Sequence, residues 1–164
     1  MKNYICINGK KAELTEEQMK ALGIEVSKAN PFERKIGEYY YIIKPHGEVV
    51  CGVEDDHTVD NALYNVANYC TDKAIMEQRA LHETLNRLLW RYSMEHDGDK
   101  IDWENDDNNK WCICYNYKRN CFGVDYDIMY NVLTTVYFYN REIAEAAIEE
   151  IIEPFIEAHP EFKW

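Results

Sequence analysis

The sequence predicts an α+β protein, with antiparallel β-hairpins and a C-terminal three-stranded sheet packed with three or four helices. Three observations carry this reading. Short runs rich in tyrosine, valine and isoleucine are separated by turn residues, as in Tyr39 to Val53 around Pro45-His46-Gly47. Longer segments, chiefly 72 to 94 and 141 to 157, carry apolar residues at helical spacing. An apolar share of 46% over 164 residues is enough to build a core without disulfides.

The elements follow in order. Tyr4 to Ile7 and Lys10 to Leu14 read as a hairpin around Asn8-Gly9, a dipeptide that accepts positive φ. Thr15-Glu16-Glu17-Gln18 is a capping box that starts a helix, and Gly23 is its natural stop. Asn30-Pro31 breaks the chain before the strands Glu38 to Ile43 and Glu48 to Val53. After the polar break EDDHT, Val59, Leu63, Val66 and Ala67 predict a helix to about Tyr69. Thr71 is the expected cap of the longest helix, with Ile75, Leu81, Leu85, Leu88, Leu89 and Tyr92 as its apolar stripe and Gly98 beyond its end. Trp111 to Tyr117 and Asn120 to Asp127 form a hairpin around Lys118-Arg119, and Thr135 to Asn140 a third strand. Asn140 caps a last helix with Ile143, Ala144, Ala147, Ile148, Ile151 and Ile152 inward, which Pro154 kinks or restarts. A β-rich part, 1–56, and an α+β part, 57–164, are expected to make one compact unit.

A formal net charge of −12 argues against direct binding of nucleic acid, because phosphate affinity comes from lysine and arginine. The expected partner is itself basic. Met1 to Leu14 lacks the apolar run of a signal peptide and no segment suits a membrane span, so the chain is expected in the cytoplasm with its six cysteines reduced.

Three stretches, YCTDKAIMEQRALHETLNRLLWRYSMEHDGDKIDW, WCICYNY and VYFYNREIAEAAIEEIIEPF with the terminal HPEFKW, resemble small accessory proteins carried by phages and mobile elements of Gram-positive gut bacteria. With NPFER and the tyrosine-rich strand after it, the resemblance covers most of the chain. It implies a bacterial host cell and a context in which small proteins act on host or rival machinery, including anti-restriction and anti-CRISPR inhibitors. It implies no catalytic or binding residue.

Several constellations invite a chemical reading. LHETLN, 81 to 86, has the His-Glu of a helical zinc motif, but Asn86 stands where the second histidine must lie, so a His82–Asn86 hydrogen bond is expected instead. Cys112, Cys114 and Cys121 share a presumed sheet face, yet Cys-x-Cys on a strand wraps no ion well; buried thiols are the expectation, with a Cys114–Cys121 disulfide forming in air. Neither a metal nor another cofactor is expected. P-loop, nucleophile-elbow and metal-hydrolase spacings are lacking, so the reading is of a non-enzymatic protein.

The strongest signal is acidity. EHDGDKIDWENDDNN, 95 to 109, holds seven acidic residues and one lysine; it lacks the glycine and glutamate positions of an EF-hand and reads as a solvated connection. Its Asp97, Asp99, Asp102, Glu104, Asp106 and Asp107, with the helical row Glu142, Glu145, Glu149, Glu153 and Glu157, are the candidate partner-binding residues. Members of that row sit about 5 to 6 Å apart, comparable to phosphates along a strand, so DNA mimicry is one form the binding takes; an acidic solvated face is the commoner cause.

Thirteen tyrosines and four tryptophans suit an interface with a partner or a second copy of the chain, as a homodimer. The leading expectation is an inhibitor or adaptor binding a basic nucleic-acid-handling host protein. The alternative is a nucleotide-binding or sequestering protein that uses Arg79, His82, Asn86 and Arg87.

Overall fold

The computed structural model describes residues 4–7, 10–22, 30–105 and 107–164. The chain divides into two compact units, 1–33 and 34–164. In the first, β1 (Tyr4–Ile7) pairs antiparallel with β2 (Lys10–Glu13), Ile7 opposite Lys10, as the expected hairpin, its second arm ending one residue before the predicted Leu14. The Asn8-Gly9 turn and Gly23 lie outside the described residues. α1 (Glu16–Ala21) starts on the expected box: Gln18 N–H donates to Thr15 Oγ1 at 3.3 Å and Thr15 N–H to Gln18 Oε1 at 2.9 Å, satisfying two otherwise orphan donors.

The second unit has the α+β fold, small antiparallel sheets packed against helices. β3 (Tyr39–Ile43) and β4 (Val49–Val53) form a hairpin with Ile43 opposite Val49. The turn places Gly47 at φ 92, where a β-carbon would be strained. β3's other edge is covered: Tyr41 exchanges backbone bonds with Cys70, and the Asn68 amide pairs both ways with Ile43 at 2.8 and 2.9 Å. A side chain thus continues the ladder that the main chain leaves.

α2 (Thr58–Asn65) ends before the expected Tyr69, because Ala67 turns left-handed at φ 55. α3 (Lys73–Glu95) is capped by Asp72, not Thr71: its carboxylate accepts from Ala74 N–H at 2.9 Å and Ile75 N–H at 3.3 Å. Its apolar face also differs from the predicted stripe. Ile75 is exposed, while Met76 and Ala80 are buried with Ile43 and Cys70. One turn on, Leu85, Leu89 and Tyr92 are buried with Phe138, Ala144, Ala147, Ile152 and Phe155. The helix changes partners along its length, so its buried face is not one straight stripe.

β5 (Lys110–Asn116) and β6 (Cys121–Asp127) form the expected hairpin, with Cys114 opposite Gly123 and Asn116 opposite Cys121. β7 (Tyr137–Phe138) is shorter than the predicted strand and pairs with β5 on its other side, giving the order β6-β5-β7. Thr134 stands at φ 68 and Thr135 N–H closes a turn on Val132 O, which delays the strand. α4 (Arg141–Ala147) is capped by Asn140, as expected, through Ile143 N–H at 2.8 Å. A π-helical turn (Ile148–Ile152) joins it to α5 (Glu153–Ala158). Pro154 explains that turn, since proline lacks an N–H and its ring crowds the carbonyl four residues back. The widened turn steps the buried positions by five, from Ala147 to Ile152. No helix of the described residues is long and apolar enough to cross a membrane.

Candidate partner-binding surface

The acidic connection after α3 is built around a buried cation. Lys110 is 1% exposed, and its ammonium donates to Asn105 O at 2.6 Å and Ile128 O at 3.1 Å. Around it the chain folds through side-chain turns, Glu104 N–H on Asp102 Oδ1 at 3.0 Å and Asp107 N–H on Asn105 Oδ1 at 2.9 Å. Asp97, left-handed at φ 65, pairs with Lys100 at 2.6 Å. Gly98 is required next, since a β-carbon there would lie 2.7 Å from Ser93 O. Asp99, Glu104 and Asp107 remain exposed, and Asp106 lies outside the described residues.

The connection is therefore a folded polar loop, with no group of three His, Cys, Asp or Glu side chains among the described residues arranged to hold a metal ion. With Trp111 and Tyr139 it lines a cleft of about 540 Å³ that Asp102 and Asp107 share. Lys110→Met leaves two inward carbonyls without their donor. Amide exchange across 102–109 is expected to accelerate roughly tenfold, with α3 amides unchanged, as measured by hydrogen–deuterium exchange.

Tyr139 leads into α4, so the loop flanks the start of the terminal helical stretch. From Glu142 the acidic row extends on the order of 20 Å along the axis at 1.5 Å per residue. Glu142, Glu149, Glu153 and Glu157 are exposed and make no ion pair among the described residues; Glu145 accepts from Arg141 at 2.8 Å. α3 is different. There Lys73–Glu77, Arg79–Glu83 and Arg91–Glu95 alternate signs at i,i+4, at 2.7, 2.7 and 4.0 Å. The row is also less regular than predicted, because the π-turn lies between Glu145 and Glu153 and rotates the later members.

The alternative ligand residues do not converge on an anion. Arg79 donates to Glu83 at 2.7 Å and to Ala67 O; Arg87 donates to Pro45 O at 2.9 Å and Glu83 O at 3.2 Å. His82 does not bond Asn86: its Nε2 donates to Lys163 O at 2.8 Å and its ring lies 4.7 Å from that of Phe162. His82 and Asn86 line a separate cavity of about 360 Å³ with Leu85, Leu89 and Trp164. The terminal HPEFKW segment, docked on α3 through Gln78, supplies the acceptor that sequence spacing did not reveal.

The thiol prediction is corrected. Cys114 and Cys121 are exposed and Cys112 half-buried, all three free, while Trp111, Ile113, Phe122 and Val124 on the opposite face meet the core. Burial, then the nearby Asp125, pushes the Cys112 thiol up.

Unforeseen is a buried polar clasp at the polar break. Arg34 grips Glu54 with two bonds, 2.7 and 2.6 Å, and donates to Asn61 at 2.5 Å. Tyr40 hydroxyl donates to Asp60 Oδ1 at 2.6 Å, and Asp60 Oδ2 accepts from Asp55 and His57 N–H. The Tyr40 ring crosses Gly52, where any β-carbon would come within 2.7 Å of it, and stacks on Tyr69 at 4.4 Å. The Arg34 hydrogen bond holds Glu54 below the usual carboxylate range; the Tyr40 hydroxyl holds Asp60 down to about 2. Burial, then Glu54, pushes Tyr69 up to about 12. Among the described residues no buried side-chain nitrogen or oxygen lacks a partner, so the clasp is a structural lock.

Compared with family models, curated proteins and solved structures, the chain matches none.

Proposed function

We propose that the protein is a non-enzymatic inhibitor or adaptor that docks a basic, nucleic-acid-handling host protein of a defence system through the terminal helical stretch and the acidic loop beside its start. The observation that carries this reading is the contrast between helices. A helix that is merely soluble usually interleaves its charges, as α3 does; α4 to α5 instead leaves Glu142, Glu149, Glu153 and Glu157 uncompensated. Like charges along a helix cost stability, and Glu157 also lies at the unfavourable end of the helix dipole. A cationic channel would offset both costs on binding and be blocked to phosphate. Trp111 and Tyr139 at the cleft supply short-range contacts of the kind enriched at interfaces.

The test is parallel affinity capture from host lysate with the tagged wild type and with E149K/E153K/E157K, washed at low and high salt. The expected result is a basic nucleic-acid-binding protein held by the wild type, released at high salt, and retained at least about tenfold less by the variant. Equal capture by both baits would overturn the electrostatic reading.

A further inference from the structure

β6 is an edge strand: among the described residues its only strand partner is β5. Seven residues long, it carries no proline or lysine, two of the usual devices that blunt an edge. The phase of its hydrogen bonds shows which residues face outward. Tyr126 N–H donates to the neighbouring Asp125 carboxylate at 2.9 Å, and Tyr137 O is taken by Ser93, so Trp111 turns its backbone groups to β7; by antiparallel alternation Phe122, Val124 and Tyr126 then turn theirs to the open edge.

The charge along this edge is polarised. Lys118 and Arg119 stand exposed at the hairpin tip, and Asp125 and Asp127 lie at the far end. Exposed apolar side chains cluster at the same two ends, Tyr117 at the tip, and Tyr126 near the strand's far end with Ile128 and Met129 just beyond it. A surface positive at one end and negative at the other is complementary to itself when reversed. That is the requirement of a two-fold, isologous contact.

We propose that the chain self-associates by pairing β6 antiparallel with β6 of a second copy about an axis at Val124. In that register Tyr126 meets the partner's Phe122, Asp125 lies opposite the partner's Gly123, where no side chain obstructs it, and Asp127 lies opposite the partner's Cys121. Lys118 and Arg119 then approach the partner's Asp127. The net charges of the two copies repel, but at physiological salt charges more than about 8 Å apart are largely screened, so the local pairs govern. This inference goes beyond the proposed function and does not rest on it, since the glutamate row is on other elements.

The experiment is sedimentation velocity over a concentration series, with disulfide trapping. Val124→Pro removes an outward N–H and spares pairing with β5, so it weakens the edge without dismantling the hairpin; a circular-dichroism melt verifies that. The wild type is expected to show a monomer–dimer equilibrium. V124P should be monomeric at the same concentrations, and K118E/R119E should raise the dimer Kd at least about tenfold. For trapping, C112S/C114S/C121S carrying G123C is mixed with the same background carrying D125C. Positions 123 and 125 face each other across the proposed axis as a close non-bonded pair, with Cα atoms about 4.5 Å apart. Only the mixture is expected to form a covalent dimer through these two cysteines. A wild type monomeric throughout, or a dimer that V124P leaves intact, would overturn the proposal; E149K/E153K/E157K should leave the dimer unchanged, which separates this contact from partner docking.

Discussion

Replacing Arg34 with methionine is expected to lower the melting temperature by roughly 10 °C at neutral pH and to make stability rise as pH falls from 7 toward about 4.5, a window in which Glu54 and Asp60 leave the wild type flat. Glu54 is 1% exposed, and Arg34 supplies two of its hydrogen bonds. Removing the cation leaves a carboxylate that water cannot reach. Its remaining donors, Asp56 N–H at 2.9 Å and the Tyr69 hydroxyl, do not neutralise its charge.

In the wild type Glu54 and Asp60 are both held below their unfolded values, so they contribute stability above the ordinary carboxylate range. That contribution is lost as pH falls through the folded values, for Asp60 down to about 2. In Arg34→Met, burial without a cation raises Glu54 above its unfolded value, so protonation relieves the variant and its stability rises as pH falls toward 4.5. Thermal melts of both proteins across this window check the claim. Parallel curves would mean that the Glu54 charge is not what Arg34 compensates. At the alkaline end, Tyr69 of the wild type is raised to about 12, so its contribution is whole below the unfolded value near 10 and is lost as pH rises through 12.

The parts of this fold legible in the sequence are those set by neighbours a few residues apart. The Thr15–Gln18 box, the Asn140 cap and the hairpin around Lys118-Arg119 are local chemistry, and each stands where spacing placed it. The clasp was not legible, because Arg34 and Glu54 are 20 residues apart and no spacing rule joins them. Lys110 lies just before the expected strand, where nothing in the spacing marks it; its burial follows from Asn105 and Ile128 carbonyls brought together by tertiary folding. His82 has the same history, since its acceptor lies 81 residues away. Of the candidate surface, the acidic count and the exposed glutamates were visible. Asp102's place in a turn, Asp97's pairing with Lys100 and the rotation of the row by the π-turn were not.

Phe138→Ala tests how the second unit holds together, and its expected cost is about 3–5 kcal/mol. Phe138 is 1% exposed and meets Leu85, Leu89 and Tyr92 of α3 together with Ala144, Ala147, Ile152 and Phe155 of the terminal helical stretch. Two helical layers and the sheet converge on one ring, so truncation opens a cavity that no single element can close. β7 has only two residues to hold it, with Phe138 opposite Trp111 and Tyr137 opposite Cys112. Ser93 adds a hydroxyl bond to Tyr137 O at 2.5 Å. Tyr139 and the Asn140 cap follow directly, so slackening of β7 should also loosen the acidic cleft and the start of α4. Urea denaturation is expected to show one transition with a lowered midpoint and an unchanged slope, because α3 is shared: Met76 and Ala80 lie in one cluster, Leu85 and Leu89 in the other. Two separated transitions would mean that α3 frays between Ala80 and Leu85 and that the β3–β4 hairpin side folds without the C-terminal sheet. Phe138→Leu, which keeps most of the volume, should cost less than half as much; an equal cost would assign the effect to aromatic shape instead of to the cavity.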